Sequence, residues 1–391
     1  MKMPLKSKQE YKSDKPLGLG VIGVGALALR GIIPHMSQDD VQMKVRLHAV
    51  CDPAIDRARA VASEFKIAMA YQTIEELLAD DNIDVVTIAS PIGLHFEHCR
   101  LALNSGKHVH VNKTLCTKVS EADELIRLAQ INHLRIVASP GEVLRPQIQR
   151  TRELIAAGAI GDLSWAICGG AFEKYHEGDE TERVNAPGAS VINPSWYFKK
   201  PGGGPMFDIT VYALHQLTSI LGPVLAVTAM SGIRINERTF LSETIKTEAD
   251  DNTILLLDFG GSRFAVVYGT AAGSVSDQFG AGIYFGTRGK IEGTLLNGTR
   301  FDFPGDEETL DYPVADWDAQ MRVLPHVIDN HRAIPEAHVF EDIMQLVDWI
   351  QTGKQSLVTA EHARHVIDII ESGYKASETK ITQAITTTFD F

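Results

Sequence analysis

The first third of the chain alternates between short apolar runs and stretches with helical periodicity. The apolar runs cover residues 17–22, 45–51, 83–89, 108–111 and 134–138, and the helical stretches cover 26–37, 54–65, 94–105 and 120–132. Between them, Thr73 followed by Glu76 forms the pattern of a capping box that starts a further helix. Strands that alternate with helices predict an α/β fold with a doubly wound parallel sheet, covered by helices on both faces.

The pattern changes near residue 145, after which strand-like runs follow one another without intervening helices. After a predicted helix at 146–157, these runs cover 163–171, 224–235, 252–259, 262–269 and 281–286, and helical periodicity returns at 338–352 and 359–375. Such runs predict a large open, mainly antiparallel sheet in a second domain of α+β type. Residues 176–204 are rich in Gly, Pro, Asn and charge and predict a long loop.

We therefore divide the chain into three parts. A flexible arm covers residues 1–16, the parallel α/β domain covers 17–145, and the α+β domain covers 146–391. Whether the two C-terminal helices pack back on the first domain is left open by the sequence.

Composition and charge narrow the possible partners. The 391 residues include 37 Lys and Arg against 50 Asp and Glu, a net charge of −13, which disfavours nucleic-acid binding. We expect no membrane segment, because no apolar run is long enough to span a bilayer and the N-terminus lacks the apolar core of a signal peptide. The four cysteines have no zinc or redox spacing. A cytoplasmic location, with no metal, is the expectation.

A glycine-rich turn follows the first apolar run. Gly23-Val24-Gly25-Ala26-Leu27-Ala28 has the G-x-G-x-x-A pattern, which lets a backbone approach a pyrophosphate at a helix N-terminus. The second run ends in Asp52, and a carboxylate there accepts hydrogen bonds from ribose hydroxyls and repels a 2′-phosphate. The sequence thus predicts a dinucleotide site that prefers NAD to NADP. A structural turn is the alternative interpretation.

Two further strand ends carry candidate residues. The third run is followed by Ser90-Pro91 and then His95, which fits a wall against a flat ligand or a simple turn. The fourth is followed by Asn112 and Lys113, and a lysine at the buried end of a parallel strand is rare unless it is paired or used. In a cleft, Lys113 would hold a substrate hydroxyl and lower the pKa of a neighbouring acid.

A polar helix face follows a second glycine cluster, residues 202–204. Asp208, Tyr212 and His215 are spaced i, i+4 and i+7, so a regular α-helix would place all three on one face. Such a face can orient a hydroxyl and remove its proton. Two alternatives remain, a half-exposed amphipathic helix and a zinc site, although no further ligand stands at recognisable spacing.

These segments together resemble one enzyme family. The quoted pieces are GVIGVGALALRG at 20–31, CDP at 51–53, IDVVTIASPIGLH at 83–95, GKHVHVNK at 106–113, AAGAIGDL at 156–163 and GGGPMFDITVYALHQLTSILGPV at 202–224. In order and spacing, from about residue 17 to 375, they resemble the glucose–fructose oxidoreductase / inositol dehydrogenase (Gfo/Idh/MocA) family. The resemblance implies an N-terminal NAD-binding Rossmann domain, a C-terminal domain for substrate binding and oligomerisation, and oxidation or reduction of a carbinol carbon.

The resemblance also implies roles for individual residues. Lys113 is similar to the family's catalytic lysine and Asp208 to the aspartate that opens the substrate helix. The acid/base position one turn later is Tyr212, with His215 as the alternative. The family's Glu-Lys-Pro is Asn112-Lys113-Thr114 here, and because cis bonds are largely confined to proline we expect a trans Lys113–Thr114 bond.

The sequence therefore defines a set of candidate residues and functions. The candidate cofactor contacts are Gly23, Gly25, Ala26, Leu27, Arg30, Asp52, Ser90, Pro91, His95, Asn112 and Lys113. The candidate substrate contacts are Glu142, Arg145, Trp196, Tyr197 and Lys199, with Lys174, His176 and Lys200 nearby. The leading interpretation is an NAD-dependent sugar oxidoreductase that takes a small carbohydrate. The alternatives are a glycoside hydrolase that recycles NAD through transient C3 oxidation, and a non-catalytic NAD-binding regulator. The resemblance alone implies a homo-oligomer, a dimer or tetramer.

Overall fold

Six parallel strands form the first sheet of the computed structural model, which describes residues 15–173, 175–177, 183–184, 186–273, 282–308 and 323–390. The strands are β1 (Leu17–Ile22), β2 (Val45–Cys51), β3 (Met69–Tyr71), β4 (Val85–Ile88), β5 (His108–Val111) and β6 (Ile136–Ala138). Their order is β3-β2-β1-β4-β5-β6, with the direction of winding reversed between β1 and β4. The predicted doubly wound parallel sheet is confirmed. Of these six strands, β3 is the one that the sequence pattern does not predict, because three residues are too few to show hydrophobic periodicity.

Helices cover both faces of this sheet. They are α1 (Ile33–Met36), α2 (Ile55–Glu64), α3 (Ile74–Leu78), α4 (His95–Asn104) and α5 (Val119–Ile131). The predicted capping box at Thr73 is present, with Glu76 as its partner. The helix predicted over 26–37 is present over residues 26–36, and it contains a π-helical turn, Ala28–Ile32, that continues into α1. Pro34 lacks an amide hydrogen, so the helix changes its hydrogen-bond register just before it.

A nine-stranded sheet forms the second half of the molecule. It follows α6 (Pro146–Ala156) and contains β7 (Leu163–Ala171), β8 (Ala226–Gly232), β11 (Asn252–Asp258), β12 (Phe264–Thr270), β13 (Ile283–Gly286), β14 (Gly289–Glu292), β15 (Leu295–Leu296), β16 (Thr299–Arg300) and β17 (Gln383–Ala384). A separate hairpin pairs β9 (Glu237–Phe240) with β10 (Glu243–Lys246). The order is β16-β15-β14-β13-β7-β12-β11-β8-β17, and β7 with β12 is the parallel pair among antiparallel ones. The mainly antiparallel sheet is confirmed.

The two faces of the nine-stranded sheet differ. One face is buried beneath a helical segment. This segment begins with a π-helical turn, Met206–Thr210, and continues as α7 (Val211–Leu221). On the other face, large apolar side chains alternate outward. Those more than 40% exposed include Trp165, Met230, Ile254, Leu256 and Phe264. We call this exposed surface of the nine-stranded sheet the outer sheet face.

The chain returns to the first domain at its C-terminal end through α8 (Ala337–Thr352) and α9 (Ala360–Thr379). Val339, Phe340 and Ile343 of α8 share one hydrophobic cluster with Ile32 and Ile33 of the first domain. The C-terminal helices thus bring side chains from the end of the sequence close to the glycine-rich turn. Within the described ranges, no helix has the length and apolar character needed to cross a membrane.

His326, in the segment that precedes α8, is hydrogen-bonded to two carboxylates of that helix. Its Nδ1 lies 2.9 Å from Glu341 Oε1 and its Nε2 lies 3.0 Å from Asp348 Oδ2. Burial alone would lower the pKa of His326, but the hydrogen bonds and charges of Asp348 and Glu341 outweigh it and raise the pKa to about 9. His326 is therefore protonated in the folded protein at neutral pH.

We expect His326→Gln to destabilise the protein in a pH-dependent way. A pKa raised from 6.5 to about 9 stabilises the fold fully below pH 6.5, and that stabilisation disappears as the pH rises through 9. The linkage is on the order of 3 kcal/mol. Urea denaturation should show a loss of this size near pH 6 and a much smaller loss near pH 10. His133→Asn, at an exposed site, serves as the control, and an equal loss at both pH values for His326→Gln would contradict the prediction.

Candidate active site

The ends of β4 and β5 face the start of the second domain's π-helical turn. Lys113, just after β5, points across this gap, and its Nζ lies 2.5 Å from the carbonyl oxygen of Asp208. The same ammonium contacts Asp208 Oδ1. Two candidates that stand 95 positions apart in the sequence are thus brought into direct contact at the carboxyl ends of the parallel strands, one strand away from the switch point between β1 and β4, near which ligands bind in this class of fold.

Asp208 is held as a carboxylate. Burial alone would raise its pKa, but the charge of Lys113 and the hydrogen bonds from His176 and Lys113 hold the pKa of Asp208 well below its usual range. His176 Nε2 lies 3.0 Å from Asp208 Oδ2, and Arg183 lies 3.3 Å from His176 Nδ1. Asp208 therefore connects two basic side chains from different parts of the chain.

Tyr212 lies beside this pair, one turn into the helix. Lys113 Nζ is 5.3 Å from the centre of the Tyr212 ring. The Tyr212 hydroxyl lies 3.0 Å from Nε2 of His338, which belongs to α8. Burial raises the pKa of Tyr212 well above its usual value, and the charges of Glu336 and Asp208 add to the effect. Tyr212 is therefore a neutral phenol next to the Lys113 ammonium.

His215 is not part of this group, in contrast to the expected common helix face. Its ring lies 4.5 Å from that of His362, and the second nearby imidazole is His365, both on α9. Burial lowers the pKa of His215 to about 3. The π-helical turn at 206–210 places more residues in a turn than an α-helix does, so the i, i+4, i+7 spacing no longer defines one face.

The expectation for the lysine loop was wrong. The Lys113–Thr114 peptide bond is cis. Contacts on both sides hold the loop: the Thr114 carbonyl oxygen lies 2.6 Å from His95 Nδ1, and the Thr114 hydroxyl donates to the carbonyl oxygen of Cys116 at 2.8 Å. The fold around Thr114 thus determines the bond, which the residue type alone would not.

His95 is buried and does not face the cleft, contrary to its prediction as a cofactor contact. Only 1% of the residue is exposed, and its Nε2 lies 2.8 Å from the carbonyl oxygen of Ser90. Together with the contact to Thr114, this side chain joins the loops after β4 and β5. Burial lowers the pKa of His95 to about 4, although the hydrogen bonds to the carbonyl oxygens of Thr114 and Ser90 oppose the effect. Its role in this structure is to position the loop that carries Lys113.

The glycine-rich turn fits a dinucleotide. A Cβ on Gly23, where φ is +94°, would lie 2.9 Å from the backbone of Ala89, so the turn must be glycine to pack on the end of β4. A Cβ on Gly25 would meet nothing within 4 Å, so the backbone of Gly25 faces open space. Ala26 and Leu27 follow on this open side and are half-buried. These features are what a bound pyrophosphate requires.

Asp52 holds the glycine-rich turn through hydrogen bonds, and its negative charge is paired with Arg57. Its Oδ2 accepts from the Val24 amide at 2.9 Å, and its Oδ1 accepts from the Ala54 amide at 2.9 Å and from Arg57 at 2.7 Å. Arg57 also donates to Ser190 Oγ at 3.1 Å, in a segment of the second domain. The sequence analysis missed Arg57, and its charge offsets the repulsion of a 2′-phosphate by Asp52. Electrostatics at this point therefore do not separate NAD from NADP.

The nicotinamide end of the predicted site offers an available acceptor. Asn112 Oδ1 is buried and has no hydrogen-bond partner within the described ranges. Ser90 and Pro91 follow the neighbouring strand, β4, and Ser90 Oγ lies 2.9 Å from His98 Nδ1. A buried acceptor of this kind costs free energy unless a ligand satisfies it. The carboxamide N–H of a nicotinamide would do so, which makes the residues present compatible with the cofactor.

The remaining candidates are distributed differently. Arg30 turns toward Glu336, to which its Nε donates at 2.8 Å. Glu142 and Arg145, predicted to contact substrate, are both 2% exposed and pair with each other at 2.5 Å. Burial raises the pKa of Glu142 to about 7, although Arg145 opposes the effect. The structure gives neither of them access to a substrate, because their side chains are enclosed by protein.

The aromatic candidates lie in the cleft. Tyr197 stacks on His176 with 3.5 Å between the ring centres, and Trp196 stacks on Tyr197 at 3.7 Å. Lys199 is exposed, and Lys200 is exposed and lies 3.7 Å from Asp250. Lys174 is outside the described residues. In the part of the chain that the structure describes, no group of three or more His, Cys, Asp or Glu side chains is arranged to hold a metal ion.

Sequence reasoning missed Glu336 and His338. They follow more than 120 positions after Tyr212, and no motif marks them. The helical periodicity that starts at 338 was the available signal, since a helix that packs back on the first domain can bring its first turn into the cleft.

Comparisons with known proteins support the fold of both domains. Residues 17–139 match the model of the Gfo/Idh/MocA oxidoreductase family with an NAD-binding Rossmann fold, and residues 148–292 match the Gfo/Idh/MocA C-terminal domain. Oxidoreductase ORF334 of Rhizobium meliloti is 31% identical over 50% of this chain and 53% of its own length. D-glucoside 3-dehydrogenase of Escherichia coli K12 is 26% identical over 54% and 55%. The chain thus spans about half the length of these two relatives.

A solved structure covers almost the entire chain. Levoglucosan dehydrogenase, in complex with NADH and L-sorbose, has a TM-score of 0.72 at 17% identity, over 95% of this chain and 100% of that chain. At this identity the similarity shows the fold alone. The two family models together match more than half of the residues. The chain therefore belongs to the Gfo/Idh/MocA family of oxidoreductases with an NAD-binding Rossmann fold.

Proposed function

We propose that the protein is an NAD-dependent oxidoreductase that acts on a CH–OH group of a sugar, a sugar acid or a glycoside. The observation that carries the proposal is the contact of Lys113 with Asp208, next to the neutral phenol of Tyr212, at the ends of β4 and β5. An ammonium and a phenol side by side can hold one hydroxyl oxygen and remove its proton. The relatives named for glucoside and levoglucosan dehydrogenation support a carbohydrate as substrate.

Each side chain has a separate task in this reaction. Lys113 donates to the substrate oxygen and stabilises negative charge that develops there. Asp208, kept ionised, fixes the position of the Lys113 ammonium. Tyr212 accepts the hydroxyl proton. When bound, NAD supplies the nicotinamide C4 atom that takes up the hydride.

The dinucleotide would be held by groups along the edge of the first sheet. The Gly23–Gly25 turn would face the pyrophosphate, Asp52 the adenosine ribose, and Asn112 the carboxamide. We propose NAD as the physiological cofactor because the family model that residues 17–139 match is that of an NAD-binding Rossmann fold. The contact of Arg57 with Asp52 makes the comparison with NADP an essential part of the test.

Sugar recognition is assigned to the aromatic side of the cleft. Tyr197 lies in a stack between His176 and Trp196, so the ring proposed to meet the sugar is the half-buried Trp196 at the end of the stack. Lys199 adds an exposed positive charge. Ring faces of this kind pack well against the apolar C–H face of a sugar. The nearby positive charges favour an acidic sugar such as a uronate.

A second function is favoured by one observation. His176 adds an imidazole 3.0 Å from Asp208, so the cleft holds a further base besides Tyr212. A glycoside hydrolase that oxidises C3, eliminates the aglycone, adds water and returns the hydride needs such a base. The regulator interpretation has no comparable support, since Lys113 contacts Asp208 and lies 5.3 Å from the centre of the Tyr212 ring.

One assay separates these functions. The purified protein is incubated with NAD⁺ or NADP⁺ and a panel of sugars, uronates and glycosides, while reduced nicotinamide and released aglycone are read in the same wells. Accumulation of NADH with a free sugar is the expected result. Aglycone release that needs NAD⁺ without NADH accumulation would replace the dehydrogenase by the hydrolase. Binding of NAD⁺ with no signal in either channel would contradict both.

The outer sheet face supports a homo-oligomer, which we propose as a dimer or tetramer in the cytoplasm. Monomeric proteins rarely expose a contiguous apolar surface of this kind, and Trp165, Met230, Ile254 and Phe264 lie on four neighbouring strands. A second copy of the same face would bury these side chains.

Substitution of the outer sheet face is expected to dissociate the oligomer. We expect the double variant Ile254→Glu, Leu256→Glu to sediment as a monomer in analytical ultracentrifugation, because apposed carboxylates would replace the apolar contact. Met43→Glu, at an exposed apolar residue of the first domain, is the matched control and should keep the wild-type mass. A wild-type protein that is already a monomer would contradict the proposal.

A further inference from the structure

Tyr212 cannot act as a base in its own right. Burial keeps the Tyr212 phenol protonated at neutral pH, with its pKa well above the usual value. A neutral phenol can take a substrate proton only if its own proton leaves at the same time. The question is therefore which group receives the proton of Tyr212.

His338 is positioned to receive the proton of the Tyr212 hydroxyl. Its Nε2 lies 3.0 Å from the Tyr212 hydroxyl, and the contact is buried. The opposite ring nitrogen, Nδ1, lies 3.8 Å from Glu336 Oε2. A phenol, an imidazole and a carboxylate thus form a row that starts at Lys113 and leads away from the cleft. The row joins the second domain's helix to the first turn of α8.

The carboxylate at the end of the row is fixed by the first domain. Glu336 has a left-handed backbone, with φ of +63°, and Arg30 donates to its Oε1. A Cβ on Gly31 would lie 2.5 Å from the Glu336 Cβ, so only glycine at position 31 leaves room for it. Burial raises the pKa of Glu336, but His338 and Arg30 outweigh burial and lower it, so the group is ionised.

The charges around His338 come from several elements. Those that act on it are Glu336, Arg145, Lys113 and Arg30, with the imidazole of His110 also nearby. Burial lowers the pKa of His338 to about 3, while Glu336 raises it and the cations lower it further. The ring is therefore neutral before reaction, with Nε2 able to accept from Tyr212 when Nδ1 carries the hydrogen.

We propose that His338 receives the proton of Tyr212 during oxidation, so that Tyr212, His338 and Glu336 act as a proton relay. This inference rests on the proposed dehydrogenase function. As the hydride leaves the carbinol carbon, the substrate O–H proton passes to the Tyr212 oxygen and the original phenol proton passes to His338 Nε2. The C–H and O–H bonds break, a C=O bond forms, and the Glu336 carboxylate offsets part of the effect of burial and of the nearby cations, which disfavour the imidazolium. His338 does not touch the substrate; it positions the Tyr212 hydroxyl and takes its proton.

In this relay, the imidazole next to Tyr212 of α7 comes from another helix, α8. His215, the imidazole on α7, points to α9 instead. His338 reaches the cleft because α8 packs back on the first domain. The two ends of the second domain therefore meet at Tyr212, and the C-terminal segment becomes part of the reaction.

Steady-state kinetics of the full-length protein with its NAD⁺ and sugar test the relay. We expect His338→Gln to lower kcat about 10²-fold, with KM and cofactor binding within about twofold, because glutamine can hold the Tyr212 hydroxyl but cannot accept a proton. Added imidazole should restore part of the lost kcat. Tyr212→Phe should show a similar loss, and the double variant should be no slower than either single one. His365→Gln, another buried histidine on a different helix, should keep its kcat.

Two results would overturn the relay. If His338→Gln keeps the wild-type kcat while Tyr212→Phe loses it, the proton leaves Tyr212 by another route. If the losses of the two variants multiply, or if imidazole gives no rescue and KM changes instead, His338 has only a structural role.

A second readout does not depend on activity. In ¹⁵N-histidine NMR spectra of the holoprotein, the signals absent from His338→Gln assign His338, and we expect the neutral Nδ1–H tautomer. A neutral Nε2–H tautomer would contradict the relay geometry. If no sugar is oxidised but the Nδ1–H tautomer is found, the proposed function fails while the Tyr212–His338 arrangement stands, so the two failures are distinguishable.

Discussion

Replacement of Lys113 by methionine is expected to lower turnover about 10²–10³-fold, the effect of removing one preorganised donor to a developing oxyanion. Methionine keeps the unbranched shape and most of the length of the side chain but has no ammonium charge to place against the substrate oxygen or Asp208. The Asp208 carboxylate keeps His176 as a partner, at 3.0 Å, which limits the damage to the fold. The measurement is kcat with the sugar found in the panel, together with NAD⁺ binding by fluorescence.

The control for this variant is Lys199→Met, the loss of an exposed lysine on the aromatic side of the cleft. We expect Lys199→Met to change KM and leave kcat close to the wild-type value, since Lys199 does not contact Asp208 or Tyr212. NAD⁺ binding should be retained in Lys113→Met, because the glycine-rich turn and Asp52 are not altered. Wild-type kcat in Lys113→Met would remove Lys113 from the mechanism and with it the central support for the proposed function.

The sequence was informative where a function depends on a local pattern. The strands of the first sheet are short apolar runs, and the positions just after them carry Asp52, Asn112 and Lys113, so the strand ends could be read directly. The carboxyl ends of parallel strands share one edge, which is why the sequence alone predicts Lys113 in a cleft. The Gly23 turn was equally local, since its backbone conformation excludes other residues.

The sequence was uninformative where helix register or chain reversal decides the geometry. The π-helical turn at 206–210 places His215 and Asp208 on different faces of the helix, and the residue types in the sequence do not predict this turn. Tyr212 and His338 are 126 positions apart, and only the packing of α8 on the first sheet brings them together. Arg57 alters the charge at Asp52 by a contact that helical spacing alone does not identify.

A buried network also supports the loop that carries His176. Arg238 of β9 is completely buried and donates to Asp251 at 2.9 Å, to the carbonyl oxygen of Ala271 at 2.7 Å and to Glu177 at 3.1 Å. Glu177 follows His176 directly, so the position of the imidazole next to Asp208 depends on this arginine. Stability and the geometry of the cleft are therefore coupled through one side chain.

Replacement of Arg238 by methionine is expected to lower the free energy of unfolding by about 3–5 kcal/mol, because its removal leaves the buried Asp251 carboxylate without its counter-charge. The loss at Asp251 is limited by the amides of Arg234 and Ile235, which still donate to it at 2.6 and 3.0 Å. Urea denaturation followed by circular dichroism measures the change. Arg59→Met, at an exposed arginine 3.9 Å from Asp56, should stay within about 0.5 kcal/mol of the wild type. A loss below about 1 kcal/mol in Arg238→Met would mean that water replaces the guanidinium, and that the loop with His176 is held by other contacts.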